Sequence, residues 1–106
     1  MILIGLMSGT SLDGISAALV RFSRDGERIV PALLGFEVLP YSVAQRERLT
    51  RALHTGTPEE YCRLNFDLGE WLSAAASRVL ASSGVARDEV AAIASHGQTV
   101  WHVPGH

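Results

Sequence analysis

Lysine is absent from this 106-residue chain: all nine basic residues are arginine, set against 11 acids for a formal net charge of -2. A protein that neutralises a run of phosphates needs an excess of positive charge on one face, so this balance argues against a general nucleic-acid binder. Cysteine occurs once, at Cys62, which excludes an internal disulfide and leaves no thiol cluster for zinc. That usage suits a reducing, cytoplasmic setting. The apolar stretch Ile2–Met7 has no basic residues ahead of it and is too short for a signal segment or a membrane span, so neither export nor insertion is expected. Repeats, low-complexity tracts and long linkers are also missing. What is present is globular: hydrophobic residues make up 47% and charged residues 19%, enough apolar material for a packed core. The length allows about one domain and not a complete two-domain enzyme.

Ile2–Met7 is short, apolar and followed by a Ser/Gly/Thr cluster, the profile of a strand buried on both faces that opens into a tight loop. Ile15 to Phe22 and Ile29 to Leu39 read as two further strands joined at Asp25-Gly26, which gives three antiparallel strands. Pro31 fits a strand start or an edge. Ser42 and Gln45 have the spacing of a capping box and predict a helix to about His54. Thr57, Pro58 and Glu60 supply a second set of start signals. Tyr61, Leu64, Leu68, Trp71, Leu72, Ala75 and Val79 then form one stripe of a long helix that Gly84 ends. Arg87–Glu89 is a polar connector, and Val90 to Ser95 a strand reached through helices and therefore parallel to an earlier one. The order predicts an α/β unit, a mixed sheet with helices on one face. Cys62 beside the stripe is expected to be a buried thiol, Trp71 a core residue, and Asp67 and Glu70 a solvated face.

Two clusters could carry chemistry. Ser8-Gly9-Thr10-Ser11-Leu12-Asp13-Gly14 combines two glycines with hydroxyls and successive amides, a concave array of donors that suits phosphate. It is not a Walker loop, because no Gly-Lys-Ser/Thr follows, and not the dinucleotide fingerprint, because a strand comes next. Asp13 would repel bare phosphate, a conflict that a bridging Mg²⁺ or water removes. The plain alternative is a polar hairpin turn. The second cluster, Ser95-His96-Gly97-Gln98-Thr99-Val100-Trp101-His102, follows a predicted strand, where α/β sheets bind ligands. Its His, Gln and Thr side chains offer donors and acceptors to sugar hydroxyls. Its alternative is a loop of solvated histidines. His96 and His102 lack the helix-borne metal spacing and a third ligand, which disfavours zinc.

Taken together, Met7–Gly14 and Ser95–His102, about eighty residues later, closely resemble the anhydro-N-acetylmuramic acid kinase family, with the whole chain corresponding to that family's N-terminal part. The resemblance implies the sugar kinase, heat-shock chaperone and actin superfamily: an actin-like ATPase (ribonuclease H-like) N-terminal subdomain, three antiparallel strands followed by helices and a parallel strand. On this reading residues 1–106 are the N-terminal part of the first actin-like domain, and the second domain is absent. The implied activity uses ATP and water to open 1,6-anhydro-N-acetylmuramic acid and phosphorylate its 6-oxygen, giving N-acetylmuramic acid 6-phosphate in cell-wall recycling. Gly9, Thr10, Ser11, Leu12, Asp13, Gly14, Ile15 and Ser16 correspond to the first phosphate loop, with Asp13 acting on Mg²⁺ through water. The family commonly has Asp where this chain has Ser16, which weakens a polar role there. His96, Gly97, Gln98 and Thr99 fall on the sugar side. The catalytic Asp, in an Asp-Phe-Arg segment followed by a Gly-rich stretch, has no counterpart within these residues and is expected beyond residue 106, so the fragment alone should be inactive. The rival reading is a non-catalytic nucleotide-binding or assembly module of the same superfamily. An exposed sheet edge where a further strand should pair invites self-association, a homodimer being the simplest form.

Overall fold

Local signals account for most of the elements in the structure, a computed structural model that describes residues 1–8 and 13–98, with the backbone alone at Thr55 and 96–98. β1 (Ile2–Ser8), β2 (Gly14–Asp25) and β3 (Arg28–Pro40) open the chain. α1 (Val43–Thr55), α2 (Pro58–Ser83) and a 3₁₀ turn (Arg87–Glu89) lead into β4 (Val90–Gln98). Asp25 pairs with Arg28, so the β2–β3 turn is Gly26 and Glu27 alone, and Gly26 takes a φ of 63° that a Cβ would oppose. The Ser42 hydroxyl accepts from the Gln45 amide at 3.1 Å while Gln45 Oε1 accepts from the Ser42 amide at 2.7 Å, the reciprocal box that starts α1. Thr57 caps α2 by accepting from the Glu60 amide at 3.3 Å, and Gly84, at φ 75°, ends it.

The sheet order is β3-β2-β1-β4, with β1 antiparallel to β2 and parallel to β4. Pro31 therefore sits on an edge strand, where its missing donor is tolerated. The expected α/β unit, a mixed sheet of three antiparallel strands and one parallel strand joined by two helices, is the observed one, consistent with an actin-like N-terminal subdomain. Ile4, Ile15 and Leu19 on one face meet Leu49 of α1 and Val79 of α2, and each is no more than 1% exposed. Burial on that scale stabilises by about 1.5–3 kcal/mol per large side chain.

Four expectations need correction. β1 is not buried on both faces: Ile2, Ile4, Leu6 and Ser8 are buried, but the alternating Gly5 and Met7 are exposed, because both helices pack on one side of the sheet. Its other side presents Met7, Leu33, Phe36 and Val38 to solvent among the described residues. Cys62 is exposed, since it stands about 200° around the helix from Leu64, off the stripe that Leu64, Ala75 and Val79 bury. Asp67 is not merely solvated: its Oδ2 meets Arg48 Nη1 at 2.7 Å and joins α2 to α1 at the surface, a pair that contributes less than about 1 kcal/mol. Finally, β4 runs past Ser95 to Gln98, so the second cluster begins inside a strand and not after it.

Candidate functional site at the carboxyl ends of β1 and β4

Because β1 and β4 run parallel, their carboxyl ends reach the same edge of the sheet, and the register pairs Ser8 with Gln98. β2 begins at that edge and β3 ends there, with Gly14 opposite Pro40. Across the edge the backbone therefore reads Pro40, Gly14, Ser8, Gln98, and the described ends of the two sequence clusters become neighbours. Leu6 pairs with Ser95 but Ser8 with Gln98, so β4 carries one residue more than β1 over this stretch, at His96-Gly97. Such a bulge ends regular pairing and re-aims the chain, and bulges concentrate beside functional sites.

The predicted residues have different places at this edge. Asp13 is exposed, and its carbonyl accepts from the Tyr41 amide at 3.1 Å. Gly14 is required by packing: a Cβ there would lie 2.6 Å from the Leu39 carbonyl oxygen and 2.8 Å from Pro40 Cα. Ile15 is 1% exposed in the core, so only its backbone can face a ligand. Ser16 lies on the opposite face of β2, paired with Met7 and lining an apolar depression with Gly5, Ala18, Phe36 and Ser95. His96, Gly97 and Gln98 are the last residues of β4. Gly9, Thr10, Ser11, Leu12 and Thr99 lie outside the described residues.

Sequence reading missed Ser8 and Tyr41 as a unit. Ser8 is fully buried, and its Oγ lies 2.5 Å from the Tyr41 hydroxyl. Tyr41 is 6% exposed; burial pushes its phenol pKa above the ordinary tyrosine value, and the Ser8 hydrogen bond pulls part of the way back. Its ring meets Trp71 edge-on at 5.9 Å, and the Arg48 guanidinium sits 5.6 Å from the Trp71 ring centre. The available signal was weak: a Tyr between a Pro that ends a strand and a Ser that caps a helix, 33 positions from its partner.

Among the described residues no group of three His, Cys, Asp or Glu side chains could cage a metal. Asp13 is an exposed carboxylate at this edge, a group of the kind that can meet the water shell of a nucleotide-bound Mg²⁺. A separate hollow between α1 and α2 is lined by Arg48, Arg51, Glu60, Arg63 and Asp67 and by no residue of either cluster. No described helix is long and apolar enough to cross a membrane.

Comparison with known proteins agrees with the family resemblance. A family model described as anhydro-N-acetylmuramic acid kinase matches residues 1–106. An anhydro-N-acetylmuramic acid kinase of Caldanaerobacter subterraneus is 40% identical over 105 residues, covering 97% of this chain and 26% of that protein. One from Shewanella oneidensis is 42% identical over 103 residues, and one from Nitrosospira multiformis 46% over 104, each covering 95% of this chain and 27% of the relative. The chain thus spans about a quarter of the length of these curated relatives, and it belongs to the anhydro-N-acetylmuramic acid kinase family.

Proposed function

We propose that the chain is the N-terminal part of the first of two domains of an ATP-dependent sugar kinase. The enzyme acts on 1,6-anhydro-N-acetylmuramic acid in the cytoplasm, as part of cell-wall recycling. Water gives up a proton to a base and adds as hydroxyl at the anomeric carbon, the bond from that carbon to the 6-oxygen breaks, and the 6-oxygen takes the γ-phosphoryl group of ATP, releasing ADP. The observation that carries the reading is the Ser8–Gln98 backbone pairing, which sets a candidate phosphate segment beside a candidate sugar segment at one sheet edge.

Within this chain, Gly9, Thr10 and Ser11 offer amides and hydroxyls to the phosphates, and Asp13 orients Mg²⁺ through its water shell. The metal, when bound, offsets the charge of the phosphates. Gly14 and Ile15 contribute backbone, and Gly14 also lets β2 start flush against the end of β3. His96 and Gln98, with Gly97 and Thr99, contact or position the sugar. Ser16 has a minor place, because it shares a face with Met7 and Phe36 and not with the buried Ser8. The base that takes the proton from water is assigned to an Asp outside residues 1–106. Phosphoryl transfer depends on groups aligned from both walls of a cleft, and this chain supplies one.

The test is ATP-dependent phosphorylation of the anhydro sugar. Residues 1–106 alone are expected to show no turnover. A protein that joins them to the rest of such a kinase is expected to be active and to lose at least about ten-fold in kcat/KM with Asp13→Ala, the scale of one charge-positioning group. Turnover by residues 1–106 alone, or an Asp13→Ala enzyme of undiminished kcat/KM, contradicts the assignment.

A further inference from the structure

We propose that Tyr41 is a positioning residue that ties Ser8, at the end of β1, to Asp13, just ahead of β2, and so sets the spacing of the two strand ends that flank the proposed phosphate residues. One side chain and its own amide reach the neighbouring ends of β1 and β2. The phenol oxygen lies 2.5 Å from the Oγ of Ser8, the last residue of β1. The amide donates to the carbonyl of Asp13, one residue ahead of β2, at 3.1 Å. Ser8 and Tyr41 are 0% and 6% exposed, so water does not compete for the contact between them.

Tyr41 is itself held by its neighbours. Pro40 ahead of it ends β3 and Ser42 behind it caps α1, which fixes its backbone between two regular elements. Trp71 of α2 packs edge-on against its ring, Arg48 of α1 covers Trp71, and Asp67 holds Arg48. The close approach of Gly14 to Leu39 and Pro40 draws the start of β2 against the same corner. A phenylalanine would fill the same volume, but only the hydroxyl gives the contact to Ser8 a direction. The tie stands on these contacts; its purpose rests on the phosphate reading above.

Backbone amide exchange on the nucleotide-free chain tests the tie separately from that reading. Ser8→Ala and Tyr41→Phe each remove the side-chain bond and leave the position 41 amide in place. Exchange of that amide is expected to speed about five-fold in each, the scale of one net hydrogen bond, while ladder amides around Ile4 and Leu19 are unchanged. The double variant is expected to be faster by less than the product of the two single effects, because both substitutions delete the bond the two residues share. Unchanged exchange at position 41 in both single variants overturns the proposal. In parallel, the MgATP dissociation constant of the chain is expected to rise about three- to ten-fold in each single variant at constant ladder protection. If exchange speeds but a measurable MgATP affinity stays the same, Tyr41 positions nothing and the proposal falls. A wild-type chain that ignores MgATP while exchange responds keeps the tie and removes the phosphate reading instead.

Discussion

Ile4 and Ile93 are register partners on adjacent parallel strands, yet Ile4 is 1% exposed and Ile93 57%. The residue type is the same, and so is the face of the sheet. What differs is position: β1 pairs on both sides and lies beneath the helices, whereas β4 pairs only with β1 among the described residues. The first cluster therefore starts from a fixed frame of buried Ser8 and Tyr41, while the second is carried by the edge strand, out of step with β1 at His96-Gly97. A phosphate segment gains from rigid donors placed in advance. The proposed sugar segment, carried by an edge strand, is open to further structure alongside it.

The largest effect should come from breaking the contrast directly. Ile4→Ala is expected to cost about 2–5 kcal/mol in denaturant unfolding and Ile93→Ala less than about 1 kcal/mol, because only the first leaves a cavity among packed neighbours. Equal costs would show that β4 is as well covered as β1. Next in size, Gly14→Ala is expected to cost about 1–3 kcal/mol, since its Cβ would press on the backbone of Leu39 and Pro40. Gly5→Ala, with nothing within 4 Å, should be neutral to within about 0.5 kcal/mol in the same measurement. The smallest effect concerns pH. The Tyr41 pKa is raised by burial, so the folded state holds the phenol proton more tightly than the unfolded state does. Its contribution is full below the unfolded tyrosine value of about 10 and is lost as pH rises from there through the higher folded value. Unfolding followed from pH 9 to 12 should show a loss above about pH 10 that Tyr41→Phe lessens; identical profiles would contradict the assignment.

Legibility in the sequence followed the range of the interaction. The two helix starts at Ser42 and Thr57, the stop at Gly84 and the Gly26 turn depend on contacts within four residues, and the structure has them where the sequence reading put them. Coverage of the sheet does not have that locality. The apolar run in β1 looks the same whether one face or two are packed, and only the placement of α1 and α2 on one side decides that Met7 is exposed. Cys62 was misread because neighbourhood in sequence was taken for neighbourhood on the helix surface. Of the site, the clusters themselves were visible as polar, Gly-rich segments at strand ends. Their adjacency required the parallel β1–β4 register, and the role of Tyr41 required a partner 33 positions away. Gly14 shows a third kind of gap, a residue read for ligand approach whose demonstrable need is backbone packing against Leu39 and Pro40.

The central claim is that the segment between β1 and β2 receives the phosphates of ATP at an edge it shares with the end of β4. A residue-by-residue titration of the chain with MgATP tests this most directly. The account predicts that amide signals of Gly9, Thr10, Ser11, Asp13 and Gly14 shift most, that Ser8 and Gln98 follow through their pairing, and that Asp13→Ala flattens the response. A titration in which wild type and Asp13→Ala respond alike, or in which the shifts avoid residues 9–14, would contradict it.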